Sequence, residues 1–350
     1  MKLAKAACLV LPVTLLGAPV VAKEINLTIS SSHNVQIPWV APLQQVIVAE
    51  ANRRLEEMGS ENRLDWTESY GGALYGFGDT LEAVGDGITD AGWIGSMWEE
   101  SKMPYSNLSF YTPFTTDDAG LIMEAFNRLY QEIPALEAEW TRNNVVFLGA
   151  TGADTYHLYT RFPVNSLEDL RGRKILAPGP TATWISAVGA VPVNGALPTY
   201  YNQLETGVAD GVLSIVSGAH PLKIHEVAPH VTLVGAGANM IGGFGINKDI
   251  WDGLPEDVQQ VLTELGPEYS RLNADLLQQR YDTSIAELEA DPNVTLTRLD
   301  EAERQKWVDL LPELSSQWAA DLPEGQALLA GFMSAVRDAG ATPMRDWAIQ

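Results

Sequence analysis

Apolar residues recur along this chain with two periods that take turns. Between positions 25 and 30, Ile25, Leu27 and Ile29 alternate with polar neighbours, the pattern of a half-buried strand. Over 42–56 the period lengthens, and Val46, Val48 and Ala49 fall on the inward stripe of an amphipathic helix. Strands at 63–68 and 90–95 follow, with a short helix over 80–86 between them that ends at Gly87. Positions 121–130 set Leu121, Ile122, Ala125, Phe126 and Leu129 on one helical face. Two strands are predicted close together at 145–150 and 156–161. Ser166 with Asp169 three residues on reads as a capped turn, closed by Gly172. A strand at 174–177, helices at 184–188 and 199–205, and strands at 212–216, 231–234 and 243–247 complete the alternation.

From Pro255 the pattern changes again. Val258, Val261, Leu262, Leu265, Tyr269, Leu272 and Leu276 recur at three and four residues, and Tyr281, Ile285 and Leu288 extend the same face. This is a helix of unusual length, with a bend expected at Pro267. Alternating strands and helices predict an α/β chain with mixed, mainly parallel sheets, and its size favours two lobes over one domain. No Pro/Ser/Gly-rich linker or internal repeat marks a boundary. The expected division is 23–150 mainly in lobe I and 151–240 mainly in lobe II. Residues 241–350 would supply a strand returning to lobe I, the long helix and C-terminal helices, so that the lobes are discontinuous in sequence.

The start of the chain belongs to another category. Met1 to Ala22 carries Lys2 and Lys5, then the apolar run 6–16, then Val20 and Ala22 as the small residues of a cleavage site. The run is far short of the ~20 residues a spanning helix needs, so a cleaved export signal is expected, with cleavage near Ala22. No later segment supplies a span. The chain's one cysteine, Cys8, lies inside that signal. Disulfides, thiol chemistry and Cys-ligated metals are thereby excluded from the exported protein, and a periplasmic location fits.

Charge then narrows the partners. With 45 Asp+Glu against 22 Lys+Arg, the formal charge is −23. Such a polyanion repels phosphate backbones and anionic lipid surfaces, so neither nucleic acid nor membrane insertion of the mature chain is expected. Catalytic signatures are missing as well. There is no G-x-S-x-G elbow, no phosphate-binding loop and no H-E-x-x-H. His220, His225 and His230 are spaced five apart, which scatters them around a helix, and the adjacent acids Glu99-Glu100 and Asp117-Asp118 diverge into solvent. No enzyme activity, cofactor or metal is expected.

Several segments together carry a resemblance. Tyr70-Gly71-Gly72-Ala73-Leu74-Tyr75-Gly76 precedes Asp79-Thr80-Leu81-Glu82-Ala83-Val84 and Gly87-Ile88-Thr89-Asp90. Later come Ser166-Leu167-Glu168-Asp169-Leu170-Arg171-Gly172-Arg173-Lys174-Ile175 and Gly189-Ala190-Val191-Pro192-Val193. Tyr201-Asn202-Gln203-Leu204-Glu205-Thr206-Gly207-Val208-Ala209-Asp210-Gly211 and Ile246-Asn247-Lys248 with Leu254-Pro255 close the series. In this order and spacing, from about residue 24 to about 320, the chain resembles the DctP-type solute-binding proteins of tripartite ATP-independent periplasmic (TRAP) transporters. The resemblance implies two α/β lobes braced by the long helix. It also implies capture of a small solute by hinge closure, a monomer, and delivery to small and large membrane subunits.

One position departs from the family. In most relatives the strand here reads Lys-Ile-Arg, and the arginine clamps the ligand carboxylate; this chain reads Lys174-Ile175-Leu176. Arg161 and Arg173 are the nearby candidates for a displaced clamp. Without a clamp the ligand need not be an acid. Aromatics crowd the expected cleft: His33, Trp39, Tyr70, Trp93, Tyr156, Trp184 and Tyr200. With a carboxylate, Asp154 beside Tyr156 or Glu68 beside Tyr70, such rings suit an amine or amino alcohol. Without one they suit a neutral polyol. Alignment of the motifs adds Ser32, Leu176 and Leu197 as pocket positions, and Ser214 as a hydroxyl where relatives often carry Asn. Trp98, Trp140, Trp251, Trp307 and Trp318 are assigned to core or surface. The competing readings are a carboxylate receptor with a displaced arginine, a binding protein of an ATP-driven transporter, and a two-lobed hydrolase, against which the missing catalytic constellation counts.

Overall fold

Residues 23–348 are described by a computed structural model, and the predicted export signal, with Cys8, lies outside the described residues. Eleven strands are described: β1 (Lys23–Ser30), β2 (Asn62–Ser69), β3 (Ala91–Ile94), β4 (Val145–Ala153), β5 (Tyr156–Thr160), β6 (Lys174–Leu176), β7 (Val191–Val193), β8 (Gly211–Ile215), β9 (His230–Leu233), β10 (Asn239–Asn247) and β11 (Thr295–Arg298). They form two sheets, one ordered β2-β1-β3-β10-β4 and the other β11-β9-β5-β8-β6-β7.

The pairing shows how the lobes are joined. β1 lies parallel to β2 and β3, β6 parallel to β7 and β8, and β9 parallel to β11. Every antiparallel pairing involves β5 or β10. These are the strands entered straight after the chain changes sheet. β4 ends at Ala153 in the first sheet, and after two intervening residues β5 begins in the second; β9 and β10 make the return journey across 234–238. The two closely spaced strands predicted at 145–150 and 156–161 therefore belong to different sheets. The strand predicted at 243–247 begins earlier, at Asn239. β11 has no counterpart in the sequence reading, because Thr-Leu-Thr-Arg carries a single apolar residue.

Local sequence accounts for most element ends. Asp118 caps the helix Ala119–Glu132 by accepting from the Gly120 and Leu121 amides. Asn247 does the same for Lys248–Gly253. Ser166 and Asp169 form the predicted capping box over the short turn Leu167–Leu170. The helix expected over 42–56 begins as a wide π-type turn, Leu43–Val48, before becoming α-helical over Ala49–Glu57.

The long helix spans Glu256–Ala290, 35 residues, with Pro267 inside it. Its first half is fastened to the first lobe. Tyr269 donates to the Trp39 carbonyl at 2.9 Å, the Asn273 side-chain amide donates to Pro38 and its oxygen accepts from Gly152, and Ser270 donates to Ala150. Its second half contributes Tyr281, Ile285 and Leu288 to an apolar cluster in the second lobe with Tyr159, Leu176, Tyr200 and Val231.

Candidate functional site

The C-terminal ends of the parallel strands face the gap between the sheets, where open α/β folds place ligands. From the first lobe, the turn after β1 brings His33, the following segment brings Trp39, β3 brings Trp93, and the turn after it brings Met97 and Trp98. From the second lobe come Tyr156 at the start of β5, Ser214 and Ile215 at the end of β8, and Ala196, Leu197, Pro198 and Tyr200 at the start of the helix Leu197–Glu205. Phe77, Pro178 and the crossing-strand residues Ala153 and Ile241 complete the lining of the cavity.

One wall is aromatic throughout. The His33 ring meets Trp93 edge-on at 5.1 Å and Trp39 at 5.9 Å, and it stacks on Trp98 at 6.0 Å with 10° between planes. Phe77 leans on Trp98 at 5.3 Å. Burial pushes the His33 pKa down to about 4, so the ring is neutral at neutral pH, with Nδ1 paired to the Ser32 hydroxyl at 2.9 Å. The indole N–H groups of Trp39 and Trp93 are buried and make no hydrogen bond among the described residues. Across the gap Tyr156 is backed by Trp184, whose ring stands edge-on at 5.8 Å and whose N–H donates to the Phe110 carbonyl. Among the described residues no Asp, Glu, Lys or Arg lines the cavity.

The structure thus brings together His33, Trp39, Trp93, Tyr156, Leu197 and Ser214 from the positions singled out in the sequence, with Tyr200 beside them. It sets the others behind or beside the wall. Ser32 holds His33 from the side, and Tyr70 packs partly buried against the core of the first lobe. Trp184 is fully buried, and Leu176 lies in the second-lobe cluster behind Tyr200. Asp154 is buried where β4 passes into β5, and its carboxylate accepts from both the amide and the hydroxyl of Ser217. Burial raises its pKa to about 6 against the pull of those bonds.

Neither candidate arginine lines the cavity. Arg161 is exposed beside Gly207, and the Arg173 guanidinium lies over the Phe162 ring at 4.2 Å. Glu68 accepts from Gln44 on the surface. Among the described residues no group of three His, Cys, Asp or Glu side chains is placed to hold a metal ion. No described helix is long and apolar enough to cross a membrane.

Phe77, Met97 and Trp98 are wall residues that the sequence did not single out, Trp98 having been assigned to core or surface. A signal for Trp98 was present in Gly95. A Cβ there would come within 2.5 Å of the Trp98 ring, so the glycine lets the indole fold back over the end of β3.

Comparison with known proteins gives the same architecture. The family model for bacterial extracellular solute-binding proteins, family 7 (DctP), matches residues 47–321. A solute-binding protein of Sulfitobacter sp. NAS-14.1 is 25% identical over 189 residues, 53% of this chain and 56% of that protein. The C4-dicarboxylate-binding periplasmic protein DctP of Rhodobacter capsulatus is 28% identical over 137 residues, 39% of this chain and 40% of the relative. The ectoine-binding periplasmic protein TeaA of Halomonas elongata is 25% identical over 174 residues, 49% of this chain and 51% of its own. The matched stretches therefore span about half the length of these relatives. The solved structure of the Halomonas ectoine-binding protein superposes with a TM-score of 0.74 at 20% identity, covering 90% of this chain and 100% of that one.

Proposed function

The chain belongs to the DctP family of extracellular solute-binding proteins, the receptors of TRAP transporters, and we propose that it captures a small uncharged organic solute between its lobes. Hinge closure would bury the solute, and the closed receptor would deliver it to the small and large membrane subunits of the transporter. Export with removal of the first 22 residues, action as a monomer in the periplasm, and absence of catalytic turnover belong to the same proposal.

One observation carries the ligand class: the cavity is walled by aromatic rings from both lobes, and among the described residues no charged side chain lines it. The R. capsulatus relative is named for C4-dicarboxylates. A carboxylate transferred into this cavity would lose its hydration and meet no guanidinium, a cost of several kcal/mol or more. A primary amine would meet no carboxylate, since Asp154 is engaged by Ser217 and Glu68 by Gln44. A neutral polyol suits the wall better. Its C–H faces pack on the rings, and its hydroxyls can pair with the Tyr156 and Ser214 hydroxyls, which make no hydrogen bond with other described residues.

Thermal-shift measurement against a metabolite panel tests this reading. A solute binding only the folded chain stabilises it by about 2.7 kcal/mol at a hundredfold excess over its dissociation constant. Neutral polyols or other uncharged solutes should raise the melting temperature. If mono- and dicarboxylates alone raise it, the proposal fails and a displaced arginine returns as the explanation.

A further inference from the structure

The segments joining the lobes meet at one side chain. His157 is the second residue of β5, two positions past the first crossing, and it is buried. Its Nδ1 lies 3.0 Å from the Val234 amide and 3.1 Å from the Gly235 amide, the first residues of the second crossing. Both amides are donors, so Nδ1 must be the unprotonated acceptor. The ring proton then sits on Nε2, which donates at 3.0 Å to the Tyr281 hydroxyl on the long helix. Gly235 is held from its other side as well, its carbonyl accepting from Arg304 at 3.1 Å.

We propose that His157 is a hinge pin, a positioning residue that ties both crossings and the long helix into one rigid unit of the second lobe. The proposal rests on closure of the lobes as set out above and adds where the bending occurs. With position 157 fixed to 234–235 and to Tyr281, and the Asp154 carboxylate held by Ser217, the first crossing bends in the backbone between Ala153 and Tyr156. The Ala236 amide donates to the Tyr156 carbonyl and so joins the pinned unit, which leaves Gly237 and Ala238 as the bend of the second crossing. On the long helix, Tyr269, Ser270 and Asn273 are fastened to the first lobe and Arg280 donates to the Gln36 carbonyl, so the helix passes from the hold of one lobe to that of the other at Arg280–Tyr281. A shared pin makes the three bends concerted, and the aromatic wall and the Tyr156 wall then approach along a single path. Burial first, with Arg298 and Arg304 adding to it, pushes the His157 pKa down to about 3, and the ring therefore keeps this tautomer through the neutral range.

The test needs no ligand, so its outcome is separable from that of the polyol reading. Spin labels at Glu56→Cys in the first lobe and Asn202→Cys in the second, in a Cys8→Ser background, report the interlobe distance by pulsed electron resonance. Hydrogen exchange reports the Val234 and Gly235 amides. Tyr281→Phe removes only the helix bond; it should leave both amides protected and broaden the distance distribution. His157→Asn keeps an oxygen near the Nδ1 position; it should also keep the amides protected while broadening the distribution. His157→Phe should speed exchange of both amides at least tenfold. If Tyr281→Phe and His157→Asn leave the distribution unchanged, or lower only the melting temperature, His157 is a packing residue and the pin is refuted.

Discussion

Gly266 of the long helix rests on Gly149 of β4, backbone against backbone. A Cβ on Gly266 would lie 1.8 Å from the Leu148 carbonyl oxygen, and one on Gly149 would lie 2.5 Å from the Gly266 carbonyl oxygen. Neither obstacle is a flexible side chain, so neither can move aside. Gly266→Ala should cost about 3 kcal/mol or more of stability, measured by urea unfolding. Gly253→Ala, where a Cβ meets nothing within 4 Å, is the control and should stay within about 0.5 kcal/mol of the native chain.

Glu139 predicts a pH dependence of stability. It is fully buried and accepts from the Tyr105 and Ser106 amides at 2.6 and 2.9 Å, and burial pushes its pKa up to about 7. The folded chain thus holds this proton more tightly than the unfolded chain does. The associated stability is fully present below about pH 4.5 and is lost as pH rises through 7. Relative to Glu139→Gln, the native chain should lose roughly 3 kcal/mol between pH 4.5 and 7. Parallel denaturant titrations of the two proteins across that range check the sign.

His33 makes the opposite statement about binding. Its pKa near 4 means that only the neutral ring is present above pH 5. A solute that displaces water from the cavity favours that neutral form further, so affinity for an uncharged solute should be flat from pH 8 to 5 and fall toward pH 4. Calorimetric titration on the native chain and on His33→Phe would separate this from general acid effects, since the variant's profile should stay flat.

The aromatic wall should also be visible in affinity. Trp98 touches His33, Phe77 and Trp93, and its removal opens the mouth of the cavity. Trp98→Ala should abolish the thermal shift produced by a solute that stabilises the native chain. Tyr156→Phe, which removes one hydroxyl and keeps the ring, should weaken binding about three- to tenfold. Asp154→Asn should lower stability but leave the preference for uncharged solutes in place. Acquisition or loss of amine binding in that variant would count against the placement of Asp154 outside the site.

Periodicity made the architecture legible, because β1 and the long helix each bury one face over enough residues to declare a period. The stripe from Val258 to Leu288 is that of a helix serving two lobes, and it does serve two. Which sheet each strand joins was not legible. β4 and β5 are both buried almost throughout, and nothing in Ala153-Asp154-Thr155-Tyr156 announces a change of sheet. In the site, residues at or just past strand ends, such as Ser214 and His33, were accessible by position. Side-chain partners were not. Asp154 next to Tyr156 read as a ligand carboxylate, yet its partner Ser217 is far along the chain, and Leu176 read as cavity wall although Tyr200 stands in front of it.

The order of strands in the first sheet has a consequence for a chain that emerges N-terminus first. β10 sits between β3 and β4, yet it follows nearly every strand of the second lobe in the sequence. A chain threading N-terminus first through an export channel cannot join the β3 and β4 portions of that sheet until residue 247 has emerged. Neither lobe can therefore finish folding while the other is still in transit. The topology itself delays the completion of either lobe until the other has emerged.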